Sequence, residues 1–457
     1  MARVSRWSTR TRLATDSSLL HAVETIIIDW AHQVGDVLSK DSAQPLLEGL
    51  HPLPRAEFDF WQRRLDNLQC INEQLLSPRV SAIADILRDA QSCYWPALQS
   101  VFSDVAAGLE EARDICLHLR PLQLLLEDME QTEYSQVGPA APPQPPPPRG
   151  HRGADRSAPQ LQPCIDRVLF TLGLVWARSR HYNSPARVIV ILREICNLLI
   201  EMTRNFLSPE EVLKGLQGEI EETLGSVRLS VATVQRLLRS YDEGQEPQCW
   251  DFPPALAFRR MDSFLRRLRT IEELYETAIE FLKLEKVELG GVRGNIFGSQ
   301  VFQMYEEVAE LVRGFADCKY DPLDPAEEQL NKDFAEFQTK IQDLDRRLTT
   351  IFCQGFDDCN SMASAVKLVH MFSSLLERPL IKAQVSPYYS ALLEMFNTEL
   401  DNAKLMYDAQ VAAATATGGI PPINKNMPPV AGQLKWALEL QERLEGPRKD
   451  LWAIDHP

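Results

Sequence analysis

Apolar side chains recur along this 457-residue chain at intervals of three and four positions. In the clearest run the two intervals alternate strictly, and arginine and glutamate side chains fill many of the positions between. This run, the first seam, comprises Met261, Phe264, Leu268, Ile271, Tyr275, Ala278 and Leu282. A period near 3.6 residues with charged flanks is the pattern of a helix that buries one face. The first seam therefore predicts an amphipathic helix.

Two further seams repeat this spacing. The second comprises Leu330, Phe334, Phe337, Ile341, Leu344, Leu348 and Ile351, and the third comprises Tyr389, Leu393, Phe396, Leu400, Ala403 and Tyr407. Each seam spans only about three heptads, and its aromatic members suit bundle packing better than a free coiled coil. The seams are either ordinary bundle core or faces that stay partly exposed to receive a partner helix. We predict an all-α fold, an elongated succession of antiparallel helical bundles.

Turn and capping residues divide the pattern further. Before the first seam, the periodicity predicts helices over 18–39, 55–75, 79–106, 108–130 and 161–178. Proline is favoured in the first turn of a helix, so Ser184-Pro185 and Ser208-Pro209 each predict a helix start. Glycine and proline clusters predict breaks at 248–254, 290–298, 321–325 and 418–429. Strand signals are nearly absent.

One segment fits no helical pattern. Nine of the thirty prolines lie between Pro139 and Pro163, and Pro145 to Pro148 are consecutive. Proline fixes φ and lacks an amide donor, so this composition favours polyproline II or disorder. We expect residues 136–160 to be a disordered linker, either a plain spacer or a PxxP-type ligand. It separates a helical part at 1–135 from a helical-bundle region at 161–445, with a short end at 446–457.

Charge and hydropathy argue against two broad classes of function. The 48 Lys and Arg against 64 Asp and Glu give a net charge of -16, which opposes binding to nucleic acid and to anionic membranes. The longest unbroken aliphatic run, Val188 to Leu192, is far shorter than the ~20 residues of a membrane-spanning helix. The arginine-rich N-terminus lacks the apolar segment of a secretory signal. We expect no nucleic-acid partner and no membrane partner.

No combination of residues indicates catalysis. The nine cysteines are widely spaced without a CxxC pair, which favours reduced thiols over disulfides or zinc ligands. The glycine-rich stretch at 290–298 lacks the lysine of a phosphate-binding loop, and it follows a helical pattern. Asp357 and Asp358 are better explained as caps of the following helix than as a catalytic carboxylate pair. We predict a non-catalytic chain with no metal and no cofactor.

Several short motifs follow one another along most of the chain. They are E-x-x-I-x-x-W at 24–30, E-x-x-F-W at 57–61, a stretch similar to W-x-x-S-x-Y-Y-N-T-P-x-R at 176–187, F-x-x-L-E-K-x-E-x-G-G-x-x-G at 281–294, R-P-x-I at 378–381 and W-A-x-x-L-x-x-R-L at 436–444. Together they resemble the N-terminal tail of dynein heavy chains, in the form typical of axonemal outer-arm β-type chains. The resemblance covers about residues 20 to 445.

The resemblance implies a segment that associates with dynein heavy chains, binds intermediate and light chains, and anchors the motor to the axoneme in microtubule-based ciliary movement. The implied location is cytoplasm, cytoskeleton and cilium axoneme. The proline-rich stretch departs from the family, and the chain stops inside the tail. We therefore expect neither an ATPase module nor a direct microtubule-binding domain here. The alternatives are a free-standing α-helical scaffold or tether without a dynein complex, and an enzyme that is latent or part of a longer product.

Nine positions are the candidate interaction residues. They lie in the 176–187 motif and the first seam, and they are Trp176, Tyr182, Asn183, Arg187, Phe264, Leu268, Ile271, Tyr275 and Leu282. The alternative is a core role, because large apolar side chains at helical spacing usually pack inside a bundle. We also expect the last bundle to expose apolar surface and to self-associate.

Overall fold

The computed structural model describes residues 17–132, 161–243, 250, 252–287, 294–376, 378–416 and 427–452. Within these ranges the regular structure is helical and contains no strand, so the all-α prediction is confirmed. The helices are α1 (Ser17–Ser39), α2 (Gln44–Leu47), α3 (Pro54–Leu75), α4 (Pro78–Asp89), α5 (Trp95–Glu130), α6 (Leu161–Arg178), α7 (Pro185–Leu207), α8 (Ile220–Glu243), α9 (Ala255–Leu282), α10 (Gly294–Ala316), α11 (Gln329–Asp357), α12 (Met362–Leu376), α13 (Pro379–Ala416) and α14 (Pro429–Trp452). Short 3-10 turns cover Lys214–Leu216 and Lys283–Lys286. The predicted linker at 136–160 lies outside the described residues.

The chain divides into two compact units. The first unit takes in the described residues within 1–209, 225–269 and 323–325. The second takes in those within 210–224, 270–322 and 326–457. The boundaries expected from composition, at 135, 160 and 445, stay a prediction.

Helix α5 is the centre of the first unit. Helices α1, α3, α4 and α6 all pack against it. One apolar core joins α1, α3 and α5 through Val34, Leu68, Leu75, Val101, Val105 and Leu109. Gly108 lets the helices approach closely here, because a Cβ at this position would lie 2.8 Å from Leu38 Cδ2 and 3.1 Å from Leu68 Cδ1.

The boundary between α4 and α5 differs from the prediction. The expected helix over 79–106 ends at Asp89, where Gln91 adopts a φ of 51° that stops the helix. Helix α5 then begins at Trp95-Pro96 and runs for 36 residues through the predicted boundary at 107. The start signal was the proline at 96, and Gly108 is a packing position inside the helix rather than a break.

Two other expected boundaries are also wrong. Ser208-Pro209 does not start a helix, because Ser208 has a φ of 51° and the chain turns through a 3-10 segment before α8 begins at Ile220. Helix α10 already begins at Gly294, so the described part of the expected break at 290–298 is helical. By contrast, the helix start at Ser184-Pro185 and the break at 321–325 are confirmed. In the expected break at 248–254, the described residues are non-helical, and they are Trp250 and Phe252–Pro254. In the expected break at 418–429, Met427 and Pro428 are non-helical and Pro429 begins α14.

The three seams differ in how far their side chains are buried. Every member of the first seam is buried except Leu282, which is half-buried, and every member of the second seam is buried on α11. The third seam, on α13, is different, because Leu393, Leu400 and Tyr407 remain exposed. At these positions the third seam is therefore a partly exposed face, the second of the two predicted alternatives, and not bundle core.

Asp357 and Asp358 do not cap the following helix as expected. Asp357 is the last residue of α11 and Asp358 is its C-cap. Ser361 begins α12 instead, because its Oγ accepts the amide of Ser364 at 3.3 Å. Among the described helices, none is long and apolar enough to cross a membrane.

Candidate functional site

Glu57 and Trp61 begin a buried polar cluster in the first unit. They lie four residues apart on α3 and so share one helix face. Both side chains are buried, and the indole Nε1 of Trp61 donates to Glu57 Oε1 at 2.8 Å. The E-x-x-F-W motif thus places its first and last members in direct contact.

Tyr182 brings a second motif to the same carboxylate. It lies in the turn between α6 and α7 and is completely buried. Its hydroxyl donates to Glu57 Oε1 at 3.0 Å, across 125 residues of sequence. We call Glu57, Trp61, Tyr182 and Arg187 the N-terminal junction, because they join the 57–61 motif to the 176–187 motif.

Asp114 of α5 holds the turn that carries Tyr182. Its Oδ2 accepts the hydroxyl of Ser179 at 2.6 Å and the amides of Arg180 and His181 at 3.0 and 3.1 Å. Burial alone would raise the pKa of Asp114, but these hydrogen bonds and the nearby His118 hold it below its ordinary value. A charged carboxylate therefore clamps the backbone of the turn.

Two arginines lie over the ring of Trp61. The guanidinium carbons of Arg187 and Arg64 are 4.9 and 5.3 Å from the ring centroid. Glu111 of α5 pairs with both of them, and Arg64 also donates to the carbonyls of Leu38 and Lys40. The cation–π contacts and ion pairs fix both long side chains against the indole.

The buried carboxyl of Glu57 in this junction lies near a second buried carboxyl, that of Glu194. Each residue is only 1% exposed, and within the described part of the chain the Oε2 atom of each has no hydrogen-bond partner. Burial raises the pKa of Glu57 against the effect of its hydrogen bonds. Burial and the nearby Glu57 raise the pKa of Glu194 to about 9. Glu194 is therefore protonated and neutral at pH 7, so its carboxyl adds no buried charge to the cluster.

Arg378 forms a comparable junction in the second unit. Its Nε and Nη2 donate to the two carboxylate oxygens of Asp345 at 2.8 and 3.1 Å, and its Nη1 donates to Glu280 at 2.8 Å. Its guanidinium also lies 5.0 Å from the ring centroid of Phe281. The R-P-x-I motif therefore contacts the end of α9 and the middle of α11, and we call this set the Arg378 junction.

The candidate interaction residues have different degrees of exposure. Tyr182, Phe264, Leu268, Ile271 and Tyr275 are fully buried, whereas Trp176, Arg187 and Leu282 are half-buried and Asn183 is exposed. The structure brings Trp176, Tyr182, Asn183 and Arg187 together, since the Asn183 amide donates to the Trp176 carbonyl at 2.8 Å. Tyr275 is separate from them in the second unit, where its hydroxyl bonds to the carbonyl of Val212.

Sequence reasoning missed Glu57, Glu194, Asp114 and Asp345 as key residues. The available signal was a carboxylate or arginine inside an otherwise apolar helix face, as at Glu194 between Leu192 and Ile195. Among the described residues, no three potential metal-ligating side chains cluster together. An open groove of about 340 Å³ near Ile26, Trp30 and Ile83 is mainly apolar.

Known proteins resemble this chain over almost its whole length. The profile of the family described as dynein heavy chain, N-terminal region 1, matches residues 20–143 and 152–456. Dynein axonemal heavy chain 17 of Mus musculus is 59% identical over 97% of this chain and 10% of that protein. The ciliary dynein beta chain of Heliocidaris crassispina is 42% identical over the same shares. The flagellar outer-arm dynein beta chain of Chlamydomonas reinhardtii is 30% identical over 96% of this chain and 9% of that protein.

This chain therefore spans about a tenth of the length of the curated relatives that it matches. The matched family profile is that of an N-terminal region, and it takes in residues of both compact units. The chain belongs to the dynein heavy chain family, in which it corresponds to the N-terminal tail of the axonemal chains.

Proposed function

We propose that this chain is a non-catalytic tail segment that helps to assemble an axonemal dynein and to anchor it in the cilium. Its partners are dynein heavy chains together with intermediate and light chains. The observation that carries the proposal is the continuous similarity to axonemal heavy chains over 97% of the chain. The work of such a segment is to hold partners and to transmit load, which requires packed helices and no catalytic pocket.

The two junctions suit this role. Each fixes elements that are far apart in sequence through buried, hydrogen-bonded or bidentate contacts. Buried polar networks with specific geometry resist the sliding of helices past one another, because any other register leaves polar groups unpaired. Because each unit is held together in this way, a force applied to a bound partner would be transmitted through the helices without unfolding them.

The exposed rim of the α6–α7 turn is our candidate contact surface. Arg180 and Asn183 are exposed there, and Trp176 and Arg187 are half-buried. The buried Tyr182 lies within the same turn and bonds to Glu57 of α3. The amide of Arg180 is bound to Asp114, so its side chain can be changed while the turn stays in place.

A pull-down from ciliated-cell extract tests the proposal. The tagged chain is incubated with extract, and bound proteins are identified by mass spectrometry. We expect recovery of dynein heavy and intermediate chains, and a reduced yield with R180E. The control is R167E, the same charge reversal at an exposed position of α6 outside the turn.

Failure to recover any dynein subunit with a folded, helical sample would overturn the proposed function and favour a free-standing scaffold. Equal losses with R180E and R167E would retain the function but remove the turn from its contact surface. Circular dichroism of each variant shows that the helices are intact before the binding result is interpreted.

A further inference from the structure

The apolar groove of the first unit lies between α1 and α4. Its volume is about 340 Å³, which suits one large apolar side chain and its neighbours. Ile26, on the wall formed by α1, is 62% exposed, whereas Leu98 of α5 lies buried at the base. The other apolar residues that line the groove are Val23, Ile27, Trp30, Val80 and Ile83.

The charge around this groove is acidic. Helix α1 carries Glu24, Asp29 and Asp36 and no lysine or arginine, which gives it a formal charge of -3 with histidine counted as neutral. Asp29 is exposed and lines the groove itself. Helix α4 is balanced, because two arginines are matched by two aspartates, and they are Arg79, Arg88, Asp85 and Asp89. The groove is therefore complementary to a segment that has an apolar anchor and basic flanks.

The sequence immediately before α1 has this composition. Residues 1–16, which we call the N-terminal arm, contain four arginines against one acidic residue, Asp16, and so carry a formal charge of +3. The arginines are Arg3, Arg6, Arg10 and Arg12. Trp7 lies among them and is the one aromatic residue of the arm. Most of the arm lies before residue 20, where the match to the family profile begins.

Trp7 is close enough along the chain to reach the groove. It precedes the first residue of α1, Ser17, by ten positions, and an extended chain of that length spans up to about 35 Å. Ile26 and Trp30 lie about 14 and 20 Å beyond Ser17 along the helix axis. A chain that turns back at the start of α1 can therefore bring Trp7 to either residue.

We propose that the groove binds the chain's own N-terminal arm, with the indole of Trp7 between α1 and α4 and the arginines beside the acidic side chains of α1. Aromatic side chains in desolvated pockets contribute most of the affinity of such contacts, so Trp7 is the anchor. The arginines add an attraction that salt screens. A partner that uses the groove must then displace the arm. The proposed function does not depend on this contact.

Tryptic cleavage of the arm in the 457-residue chain tests the proposal. Trypsin cuts after arginine, so the rate of cleavage after Arg10 and Arg12, followed by mass spectrometry, reports how often the arm leaves the groove. We expect W7A to be cleaved several times faster than the wild type, and W7F to be intermediate because it keeps an aromatic ring. I26E, which places a charge on the groove wall, should act like W7A. The control is L117E, at a leucine of α5 that is 69% exposed, and it should not change the rate.

The double variant W7A/I26E distinguishes a direct contact from two unrelated effects. If Trp7 occupies the groove, the double variant is cleaved no faster than W7A alone, because both substitutions remove the same contact. Effects that multiply, or equal rates for W7A and the wild type, would overturn the proposal and leave the groove for a partner protein. Circular dichroism of each variant shows that the helices are intact.

Charge and concentration give two further readouts. D29K should accelerate cleavage, whereas D128K, at an exposed aspartate of α5, should not. Added salt should accelerate cleavage of the wild type more than that of W7A. The rate should not depend on protein concentration. Protection that increases with concentration would show that the arm binds another copy, and would overturn the proposal. Because these measurements use the purified chain, they succeed or fail independently of the extract pull-down.

Discussion

The hydroxyl of Tyr182 and the carboxylate of Glu57 form a buried hydrogen bond of 3.0 Å between residues 125 positions apart. Both side chains are inaccessible to water, so neither can exchange its partner for solvent. The contact joins the α6–α7 turn to α3, and Asp114 of α5 fixes the same turn from another side. Helix α3, helix α5 and the α6–α7 turn are thereby held in fixed positions relative to one another.

Replacing Tyr182 with phenylalanine removes one hydrogen-bond partner of Glu57 but keeps the ring. Because a buried acceptor loses its donor, we expect Y182F to lower the free energy of unfolding by about 1–3 kcal/mol. Urea unfolding followed by tryptophan fluorescence measures this change. Y305F, at a half-buried tyrosine of α10, is the control and should change stability by less than about 0.5 kcal/mol. Equal stability of Y182F and wild type would contradict a structural role for the bond.

Stability of the first unit should fall as pH rises. The pKa of Glu194 is raised from 4.5 to about 9 by burial and by Glu57, so between these values the folded chain holds a proton that the unfolded chain has lost. The contribution of this bound proton to the free energy of unfolding is fully present below pH 4.5. It decreases as the pH rises from 4.5 to about 9, by no more than about 1.4 kcal/mol per pH unit.

The variant E194Q isolates this effect, because its side chain has the same shape and does not titrate. We expect unfolding midpoints of E194Q to depend less on pH than those of the wild type, and to exceed them above pH 8. E201Q, at an exposed glutamate of the same helix, should follow the wild-type curve. Parallel pH curves for E194Q and wild type would show that Glu194 is ionised in the folded chain.

Arg378 should be more sensitive to substitution than its position near a helix start suggests. R378M leaves the carboxylate of Asp345 buried without its bidentate partner, and we expect a loss of about 3–5 kcal/mol. R378K keeps the charge but cannot form the planar double contact, so its loss should be intermediate. R346M, at an exposed neighbour of Asp345, is the control for thermal unfolding. A smaller effect for R378M than for R378K would contradict the bidentate pairing.

Replacing glycine with alanine should have opposite effects on stability at Gly215 and Gly225. A Cβ at Gly215 would clash with Thr223 Oγ1 and lie 2.7 Å from the hydroxyl oxygen of Tyr275, so G215A should destabilise by about 1–3 kcal/mol. Gly225, inside α8, has nothing within 4 Å of its missing Cβ, so G225A should stabilise by about 0.5–1 kcal/mol. The thermal unfolding midpoints of both variants, measured by calorimetry, test this prediction. A shift of both midpoints in the same direction would contradict the close packing around Gly215.

The periodic spacing of apolar residues was sufficient to predict individual amphipathic helices. The first and second seams are buried as expected because each is a continuous apolar face on one helix. The division at 107 was wrong because α5 continues through this position, where Gly108 is a contact point with Leu38 and Leu68. For the third seam the spacing could not decide between core and exposed face, because it indicates an apolar face without identifying what covers it.

The candidate site was harder to predict than the helices. The 57–61 and 176–187 motifs were recognisable separately, but nothing in the spacing indicates that Tyr182 contacts Glu57. Such a contact depends on how α3, α5 and the α6–α7 turn meet in space. A raised pKa at Glu194 likewise depends on burial by residues far away in sequence.

The length of α5 has a mechanical consequence. Its 36 residues extend about 54 Å at 1.5 Å per residue, and Gly108, Glu111 and Asp114 lie near its middle. The hydrogen bonds of Asp114 to the α6–α7 turn and the ion pairs of Glu111 with Arg64 and Arg187 therefore hold this long helix at its middle. A force that tilted α5 relative to its neighbours would have to break these contacts first.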